Sequence, residues 1–152
     1  MPVVASAYVL AASLALSAAE LPQALEPSEV ACLALNIYHE ARGESAKGQA
    51  AVAHVTLNRA RSQLYPDRIC EVVTQSFRGI CQFSWYCDGV PDYPRDAEAF
   101  SRALEISLDV LAGRRADPTS GAIYFVARSI RQPDWTRRVT RTTTIQGHHF
   151  YR

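Results

Sequence analysis

The feature that most constrains the fold is an amphipathic helical pattern near the N-terminal side of the chain. Apolar residues recur at the spacing i, i+3, i+4, i+7, i+8 and i+11, and they are Val30, Leu33, Ala34, Ile37, Tyr38 and Ala41. The pattern predicts a helix from about Glu29 to His39 or beyond, with Ser28 as its N-cap and Gly43 as its C-terminal stop. One face of this helix must pack against a core.

The rest of the chain alternates between helical patterns and turn-rich segments. Apolar spacing predicts a second helix over residues 47–61 and a third within residues 96–113, ended by a glycine. Between them, residues 65–96 are rich in proline, glycine and aromatic side chains, which indicates loops with a short hairpin. Residues 122–127 and 138–152 each fit one strand. We find no internal repeat and no second domain.

Composition favours a globular chain over a disordered or nucleic-acid-binding one. The 152 residues suit one domain, and apolar residues make up 48% against 20% charged residues. With 16 basic and 15 acidic side chains, the formal net charge of +1 argues against a broad nucleic-acid footprint. The last third nevertheless contains several arginines, among them Arg114, Arg115, Arg137, Arg138 and Arg141. We interpret them as a solvated surface; a patch for an anionic polymer is the alternative.

The N-terminal segment indicates export. Residues 3–19 carry no charge, are too short for a comfortable membrane span and end in small residues that suit a signal peptidase. No lysine or arginine precedes them, so a helix that packs on the domain or anchors it to a membrane is the alternative. We therefore expect a signal peptide or anchor at 1–19, a linker at 20–28 and one domain at 29–152, located in the periplasm or cell envelope.

Four cysteines are consistent with an exported protein. Cys32, Cys70, Cys81 and Cys87 permit two disulfides in any of three pairings. Cys32 lies within a helical pattern and could instead be a buried thiol, whereas Cys81 and Cys87 could close a short loop. There is no C-x-x-C pair, and the histidines are not at metal-ligand spacing from the cysteines. We expect no zinc, no other metal and no cofactor.

Glu40 is the candidate general acid. It borders the apolar stripe and falls in the last turn of the predicted helix, so partial burial and the negative end of the helix dipole should both raise its pKa. A carboxyl group with a raised pKa can donate a proton near neutral pH. Arg42 would oppose this shift if it paired with Glu40. The alternative, which the chemistry alone favours, is a surface salt-bridge cluster of Glu40, Arg42 and Glu44.

The side chains expected around such an acid suit a carbohydrate. Cleavage of a glycosidic bond usually needs a second group, for which Glu44 and Asp88 are candidates. Aromatic residues that could stack on sugar rings occur in loop-like segments: Trp85, Tyr86, Tyr93, Tyr124 and Trp135. Gln82, Ser84 and Asp88 could bind hydroxyl and amide groups. Alternatively, the aromatic residues form the core of a loop-rich half.

Three blocks together resemble the spore-cortex-lytic type of bacterial cell-wall hydrolases. They are "IYHEARGESAKGQAAVAHVTLNR", "CQFSWYCDG" and "PDWTRRVTRTTTIQGHHFYR", in that order, and the resemblance extends from about Val30 to Arg152. It implies a lysozyme-like α+β fold, mainly helical, with a small β-hairpin or sheet and a loop-rich lobe. It also implies that residues 29–152 form a catalytic domain that cleaves the glycan strand of peptidoglycan.

The resemblance also implies roles for particular residues. Glu40 matches the first glutamate of the family's E-A-R-G-E motif, its catalytic acid. The expected substrate-binding residues are Gln82, Ser84, Trp85, Asp88, Tyr124 and His148. A structural hydrogen bond is the alternative role for His148, and we interpret Asn58 and Arg59 as structural residues near the base of the site. Members resemble lytic transglycosylases, which form a 1,6-anhydro product; hydrolysis is the other possible outcome.

Two further functions stay open at this stage. The chain could be a non-catalytic module that binds peptidoglycan or assists envelope assembly. It could also be a disulfide-stabilised interaction protein that uses Arg137 and Arg138 as its contact surface. The expected partner of the enzyme is the glycan strand of peptidoglycan and not nucleic acid, with possible membrane association through the N-terminal segment, and we expect a monomer.

Overall fold

The computed structural model describes residues 25–152, and most of the expected leader and linker lies outside them. Its helices are α1 (Pro27–Ala41), α2 (Ala46–Ala60), α3 (Ile69–Val73) and α4 (Ala97–Leu111). Single turns of 3₁₀-helix cover Ser84–Tyr86 and Asp134–Arg138. The predictions of the three long helices are confirmed to within a few residues. The short helix α3 was not predicted, because five residues carry too little periodicity.

The first helix begins earlier than the sequence indicated. Glu26 occupies the N-cap position without a side-chain hydrogen bond, and Pro27 lies in the first turn. The prediction of Ser28 as N-cap is therefore wrong, because the fixed φ of proline suits the first helical position, where no backbone donor is needed. The helix ends at Ala41, and Gly43 has no positive φ.

The two other long helices have side-chain caps. Ser45 accepts a hydrogen bond from the backbone of Gly48 at the start of α2, at 3.3 Å. Asp96 accepts one from the backbone of Ala99 at the start of α4, at 2.9 Å. Each cap satisfies one backbone donor that the first turn leaves free. The cap at Ser45 thereby defines where α2 begins after the short turn that follows α1.

The strands form two small antiparallel sheets. β1 (Ser76–Phe77) pairs with β2 (Ile80–Cys81), and the second sheet has the order β3-β5-β4. Its strands are β3 (Tyr124–Ala127), β4 (Arg141–Ile145) and β5 (His148–Tyr151). The single strand predicted over residues 138–152 is wrong: a turn at Gln146, which has a φ of +46°, divides that segment into a hairpin. The strand predicted at 122–127 is confirmed as β3.

Helix α2 belongs to both parts of the core. The larger cluster contains residues from α1, α2, α3 and α4, among them the fully buried Leu33, Ile37, Ala53 and Val72. The smaller cluster joins α2 to the three-stranded sheet through Ala51, Val55, Ala122, Ile145 and Phe150. Burial of these side chains is the main force that holds the helices on the sheet. It also brings the C-terminal end of α1 close to that sheet.

Two disulfides connect the four cysteines. Cys32 of α1 pairs with Cys70 of α3, with their Cα atoms 5.2 Å apart. Cys81 pairs with Cys87, at a Cα separation of 5.9 Å, and closes the short loop that the sequence suggested. The interpretation of Cys32 as a buried free thiol is therefore wrong. Its position in a helical pattern gave no indication of the partner on α3.

The contacts and the exposure of the arginines in the last third agree with a solvated surface. Arg114 and Arg115 both pair with Asp109, at 2.8 and 3.2 Å. Arg137 and Arg138 are exposed in the second 3₁₀-helix. Within residues 25–152, no helix has the length and apolar character needed to cross a bilayer.

Candidate active site

Glu40 lies in the last turn of α1 and is half-buried. Burial raises the pKa of its carboxyl group, and the positive charge of Arg59 opposes that rise without cancelling it. The position of Glu40 at the helix end also favours its neutral form, because the C-terminus of a helix carries partial negative charge. Glu40 can therefore hold a proton at a higher pH than an exposed glutamate.

The alternative salt-bridge cluster is not present. Arg42 packs its guanidinium group over the ring of Tyr38, 4.9 Å from the ring centre, and has no salt bridge to either glutamate in the described chain. Glu44 turns instead toward the β4–β5 turn. The cation that acts on Glu40 is Arg59 from α2. The positions of Arg42 and Glu44 thus leave Glu40 free of any ion pair with its sequence neighbours.

Arg59 is a buried cation, only 6% exposed. Its Nε donates to the carbonyl oxygen of Ile123 at 2.7 Å, and its guanidinium group lies 5.2 Å from the ring centres of both Tyr65 and Phe83. Its Nη1 is buried and has no hydrogen-bond partner among residues 25–152. Burial of a donor without a partner destabilises the fold unless a ligand or a water molecule accepts its hydrogen bond.

The sequence interpretation of Arg59 as a structural residue near the base of the site did not include its electrostatic effect on the candidate acid. The available signal was its position, seven residues after Val52 and four after Val55 on the apolar side of α2. A charged residue at such a position is buried and therefore needs a partner. That its charge acts on Glu40 depends on how α1 crosses α2, which the spacing does not reveal.

Arg59 also lines a cavity of about 350 Å³ with an aromatic wall. The other lining residues are Gln82, Tyr124, Phe125 and Trp135. The rings of Tyr124 and Trp135 lie 5.3 Å apart, centre to centre, and Trp135 packs in turn against Tyr151. Gln82, which is exposed, lines the same cavity as these rings. Flat apolar rings beside amide and guanidinium donors suit a sugar with N-acetyl groups.

A second cavity, of about 510 Å³, lies where Glu44 meets the β4–β5 turn. Glu44 accepts a hydrogen bond from the backbone of Gly147 at 3.3 Å, and its carboxylate lies 3.5 Å from Nδ1 of His148. Burial lowers the pKa of His148, and the charge of Glu44 opposes this effect. The ring of Phe125, which lines the first cavity, lies 5.4 Å from the ring of His148. The two cavities are therefore neighbours along β3.

The remaining predicted site residues lie elsewhere. Trp85 is 8% exposed within the larger core cluster, and its indole Nε1 donates to Oδ1 of Asn36 at 3.0 Å. Ser84 is exposed at the start of the first 3₁₀-helix. Asp88 is exposed, accepts from the backbone of Val90 at 2.8 Å and lines a separate cavity. Substrate contacts for these three residues stay predictions.

Asn58 forms structural hydrogen bonds, as its interpretation from the sequence predicted. Its amide donates to Asp117 at 2.9 Å and to the carbonyl oxygen of Ala122 at 3.0 Å, so it ties α2 to the segment before β3. In residues 25–152 there is no group of three or more histidine, cysteine, aspartate or glutamate side chains able to hold a metal ion.

Comparison with protein families gives one match, which covers most of the chain. The model of the family described as "Cell Wall Hydrolase" matches residues 43–151. The match begins just after Glu40, so it includes Arg59, the lining of both cavities and the whole sheet.

The chain is also similar to curated proteins described as spore cortex-lytic enzymes. That of Oceanobacillus iheyensis is 30% identical over 132 residues, which cover 86% of this chain and 44% of the relative. That of Halalkalibacterium halodurans is 33% identical, over 88% of this chain and 37% of the relative. The chain thus spans less than half the length of these relatives.

Two solved structures match the fold. One is described as the catalytic domain of the germination-specific lytic transglycosylase SleB from Bacillus anthracis, with a TM-score of 0.71 and 29% identity over 87% of this chain and all of that one. The other, the catalytic domain of SleB from Bacillus cereus, has the same TM-score and identity and is covered to 95%. The lysozyme-like α+β fold predicted from the sequence blocks is confirmed.

Proposed function

Because this chain belongs to the cell wall hydrolase family, we propose that it degrades peptidoglycan by cleaving the glycan strand between N-acetylmuramic acid and N-acetylglucosamine. Glu40 is the general acid and base of the reaction. The single observation that carries this assignment is that Glu40, half-buried at the end of α1, has a raised pKa while the cation that acts on it lines an aromatic cavity.

The acid step needs a proton on Glu40 when substrate arrives. The neutral carboxyl group donates its proton to the glycosidic oxygen as the bond to C1 of muramic acid breaks, and an oxocarbenium-like centre develops at C1. Glu40 is left as a carboxylate. Arg59 stabilises this new charge through a guanidinium group that has an unpartnered buried nitrogen.

The second step returns the proton. The Glu40 carboxylate removes the proton of the C6 hydroxyl group of the same muramic acid, and that oxygen attacks C1. The product is a 1,6-anhydro sugar, and Glu40 is again neutral, so atoms and charges balance without a second carboxylate. The similar protein from Bacillus anthracis is described as a lytic transglycosylase, which supports this route. Attack by water at C1, giving a reducing end, is the other outcome that the same acid permits.

The two cavities along β3 are the proposed binding groove. Tyr124 and Trp135 stack on sugar faces, and Gln82 bonds to an N-acetyl or hydroxyl group. His148, held beside Glu44, lines the continuation of the groove. The two disulfides support a location outside the cytoplasm, where the cell wall is found. We keep residues 1–19 as a signal peptide or anchor in this proposal.

The decisive experiment compares wild type with Glu40→Gln on purified sacculi. The variant should lose glycan cleavage by roughly 10²- to 10⁴-fold, the usual contribution of a general acid. Mass spectrometry of the released muropeptides measures the loss and shows whether an anhydro end, lighter by one water than a reducing end, is formed.

The matched control is Glu71→Gln, which removes a carboxylate from an exposed position on α3. It should cleave sacculi like the wild type. Full activity in a folded Glu40→Gln protein would overturn the assignment of the acid. Binding of sacculi without release of any fragment by the wild type would indicate the non-catalytic module instead.

A further inference from the structure

A third cavity lies at the end of α1, on the side of that helix away from Glu40. It has a volume of about 320 Å³. It is lined by Tyr38 and His39 of α1, by Arg42 just after the helix, and by residues between 88 and 95. Since successive residues of a helix are rotated by about 100°, Tyr38 and Arg42 project together while Glu40 projects toward α2. The cavity and the candidate acid thus lie on opposite sides of one helix end.

The walls of this cavity are fixed before any ligand binds. The hydroxyl oxygen of Tyr38 accepts hydrogen bonds from the backbone of Arg95 and of Asp96, at 3.2 and 3.1 Å. A ring nitrogen of His39 bonds to the carbonyl oxygen of Asp92 at 2.9 Å. These three bonds hold the loop against α1, so little conformational entropy would be lost on binding.

The charged groups of this cavity form no salt bridges within residues 25–152, although Nη1 of Arg42 donates to the carbonyl oxygen of Tyr38 at 3.5 Å. The guanidinium groups of Arg42 and Arg95 lie over the rings of Tyr38 and Tyr93, 4.9 and 6.0 Å from the ring centres. Neither has a carboxylate within salt-bridge distance in the part of the chain that the structure describes. Asp88 uses one oxygen to accept from the backbone of Val90 and is otherwise exposed. The cavity therefore offers two cations and a carboxylate.

This charge pattern does not match the sugars of a peptide-bearing glycan strand, because the lactyl carboxyl group of N-acetylmuramic acid is then amide-linked and uncharged. It matches the peptide that branches from muramic acid, which carries carboxylates and, where its third residue is a diamino acid, a free amine. Arginine binds carboxylates through paired charge-assisted hydrogen bonds.

We propose that the cavity formed by Arg42, Arg95, Asp88 and Tyr93 binds the peptide stem of peptidoglycan. The two arginines bind its carboxylates, Asp88 binds its free amine, and the exposed ring of Tyr93 packs on its aliphatic part. This inference rests on the proposed function, because the stem that would enter the cavity belongs to the strand that Glu40 is proposed to cleave. It makes the enzyme selective for strands that retain their peptides.

The first test is direct binding of a soluble stem tetrapeptide, composed of alanine, glutamate, diaminopimelate and alanine, measured by NMR titration of the full chain. We expect shifts at Tyr93 and Arg95, and a loss of affinity of about tenfold in Arg95→Gln, as for one charge-assisted hydrogen bond. The control is Arg78→Gln, since Arg78 is also exposed and lies 5.1 Å from the centre of an aromatic ring, that of Phe77, but outside the cavity. Absence of binding, or equal binding by wild type and Arg95→Gln, would overturn the inference.

The second test separates this inference from the proposed function. Cleavage is measured on peptide-bearing strands and on strands stripped of peptide by an amidase, and the ratio of the two rates is compared. The ratio should exceed one for wild type and fall several-fold in Arg95→Gln. A ratio of one in an active wild-type enzyme would refute the stem site and leave glycan cleavage standing. If the chain binds the peptide but cleaves neither substrate, the stem site stands and glycan cleavage is refuted.

Discussion

At the scale of single residues, the proposed reaction depends on two opposing effects on the pKa of one carboxyl group. Burial raises the pKa of Glu40, and the charge of Arg59 lowers it by a smaller amount. Burial alone would favour the acid step but hinder formation of the carboxylate that the second step needs. The nearby guanidinium group makes both protonation states accessible.

The first prediction concerns this balance. Arg59→Met keeps much of the side-chain volume but removes the charge, so the pKa of Glu40 should rise further. The alkaline limb of the profile of log kcat/KM against pH should then move to higher pH, because this limb reports deprotonation of the acid in the free enzyme. Arg61→Met, at an exposed position beyond α2, should leave the limb in place. A limb that stays or moves to lower pH in Arg59→Met would contradict the assignment.

The second prediction is a pH dependence of stability. Between its ordinary pKa and its raised pKa, Glu40 binds more protons in the folded than in the unfolded state, so the free energy of unfolding decreases as pH rises through this range. The glutamine side chain in Glu40→Gln does not titrate in this range. The stability of wild type relative to Glu40→Gln should therefore fall as pH increases across that range and be constant below it. Urea unfolding of both proteins at a series of pH values measures the difference; a constant difference would refute the raised pKa.

At the scale of elements, the turn between α1 and α2 is docked on the turn between β4 and β5. The backbone of Ser45 donates to the side chain of Gln146 at 2.7 Å, and Glu44 accepts from the backbone of Gly147. This contact connects the helix end that carries Glu40 to the sheet that lines the proposed groove. Glu44, which the sequence offered as a candidate second group, takes part in this contact through its carboxylate.

The third prediction tests this contact through Gly147. A Cβ atom at that position would collide with the Glu44 carboxylate and displace it from His148 and from the Gly147 backbone. Gly147→Ala should therefore lower the free energy of unfolding by about 1–2 kcal/mol, the cost of a lost charged hydrogen bond with some strain. Thermal unfolding measures it. Gly43→Ala is the control: a Cβ there has nothing within 4 Å, so stability should change by less than about 0.5 kcal/mol.

The sequence predicted elements where the signal was local and periodic. Helices α1, α2 and α4 follow from apolar spacing, and so does the position of Glu40 at a helix end. The β4–β5 hairpin was missed because its turn at Gln146–Gly147 lies inside a segment that otherwise reads as one strand. Trp85 could not be placed from sequence, because its burial depends on a long-range bond to Asn36. The influence of Arg59 on Glu40 likewise requires the helix crossing.

At the scale of the whole molecule, the two disulfides constrain very different lengths of chain. Cys32–Cys70 has a sequence separation of 38 residues and ties α1 to α3, whereas Cys81–Cys87 has a separation of 6 within one loop. A longer loop loses more conformational freedom in the unfolded state when it is closed. The long-range bond should therefore contribute more to global stability.

The fourth prediction compares the two bonds. Replacing Cys32 and Cys70 by alanine should reduce the free energy of unfolding by about 4 kcal/mol, and replacing Cys81 and Cys87 by about 2 kcal/mol, on the chain-entropy model. Urea unfolding of the two double variants under oxidising conditions measures both losses. Equal losses, or a larger loss for the short loop, would show that the effect does not come from loop closure.

The order β3-β5-β4 places residues 148–151 in the middle of the sheet, although they follow all the other elements in the chain. During synthesis, the segment that bears Glu40 emerges about a hundred residues before this central strand. A chain interrupted before residue 148 would carry Glu40 and its helix but would lack the strand that joins β3 to β4. Under the proposed function, incomplete copies are therefore expected to be inactive until β5 has been synthesised.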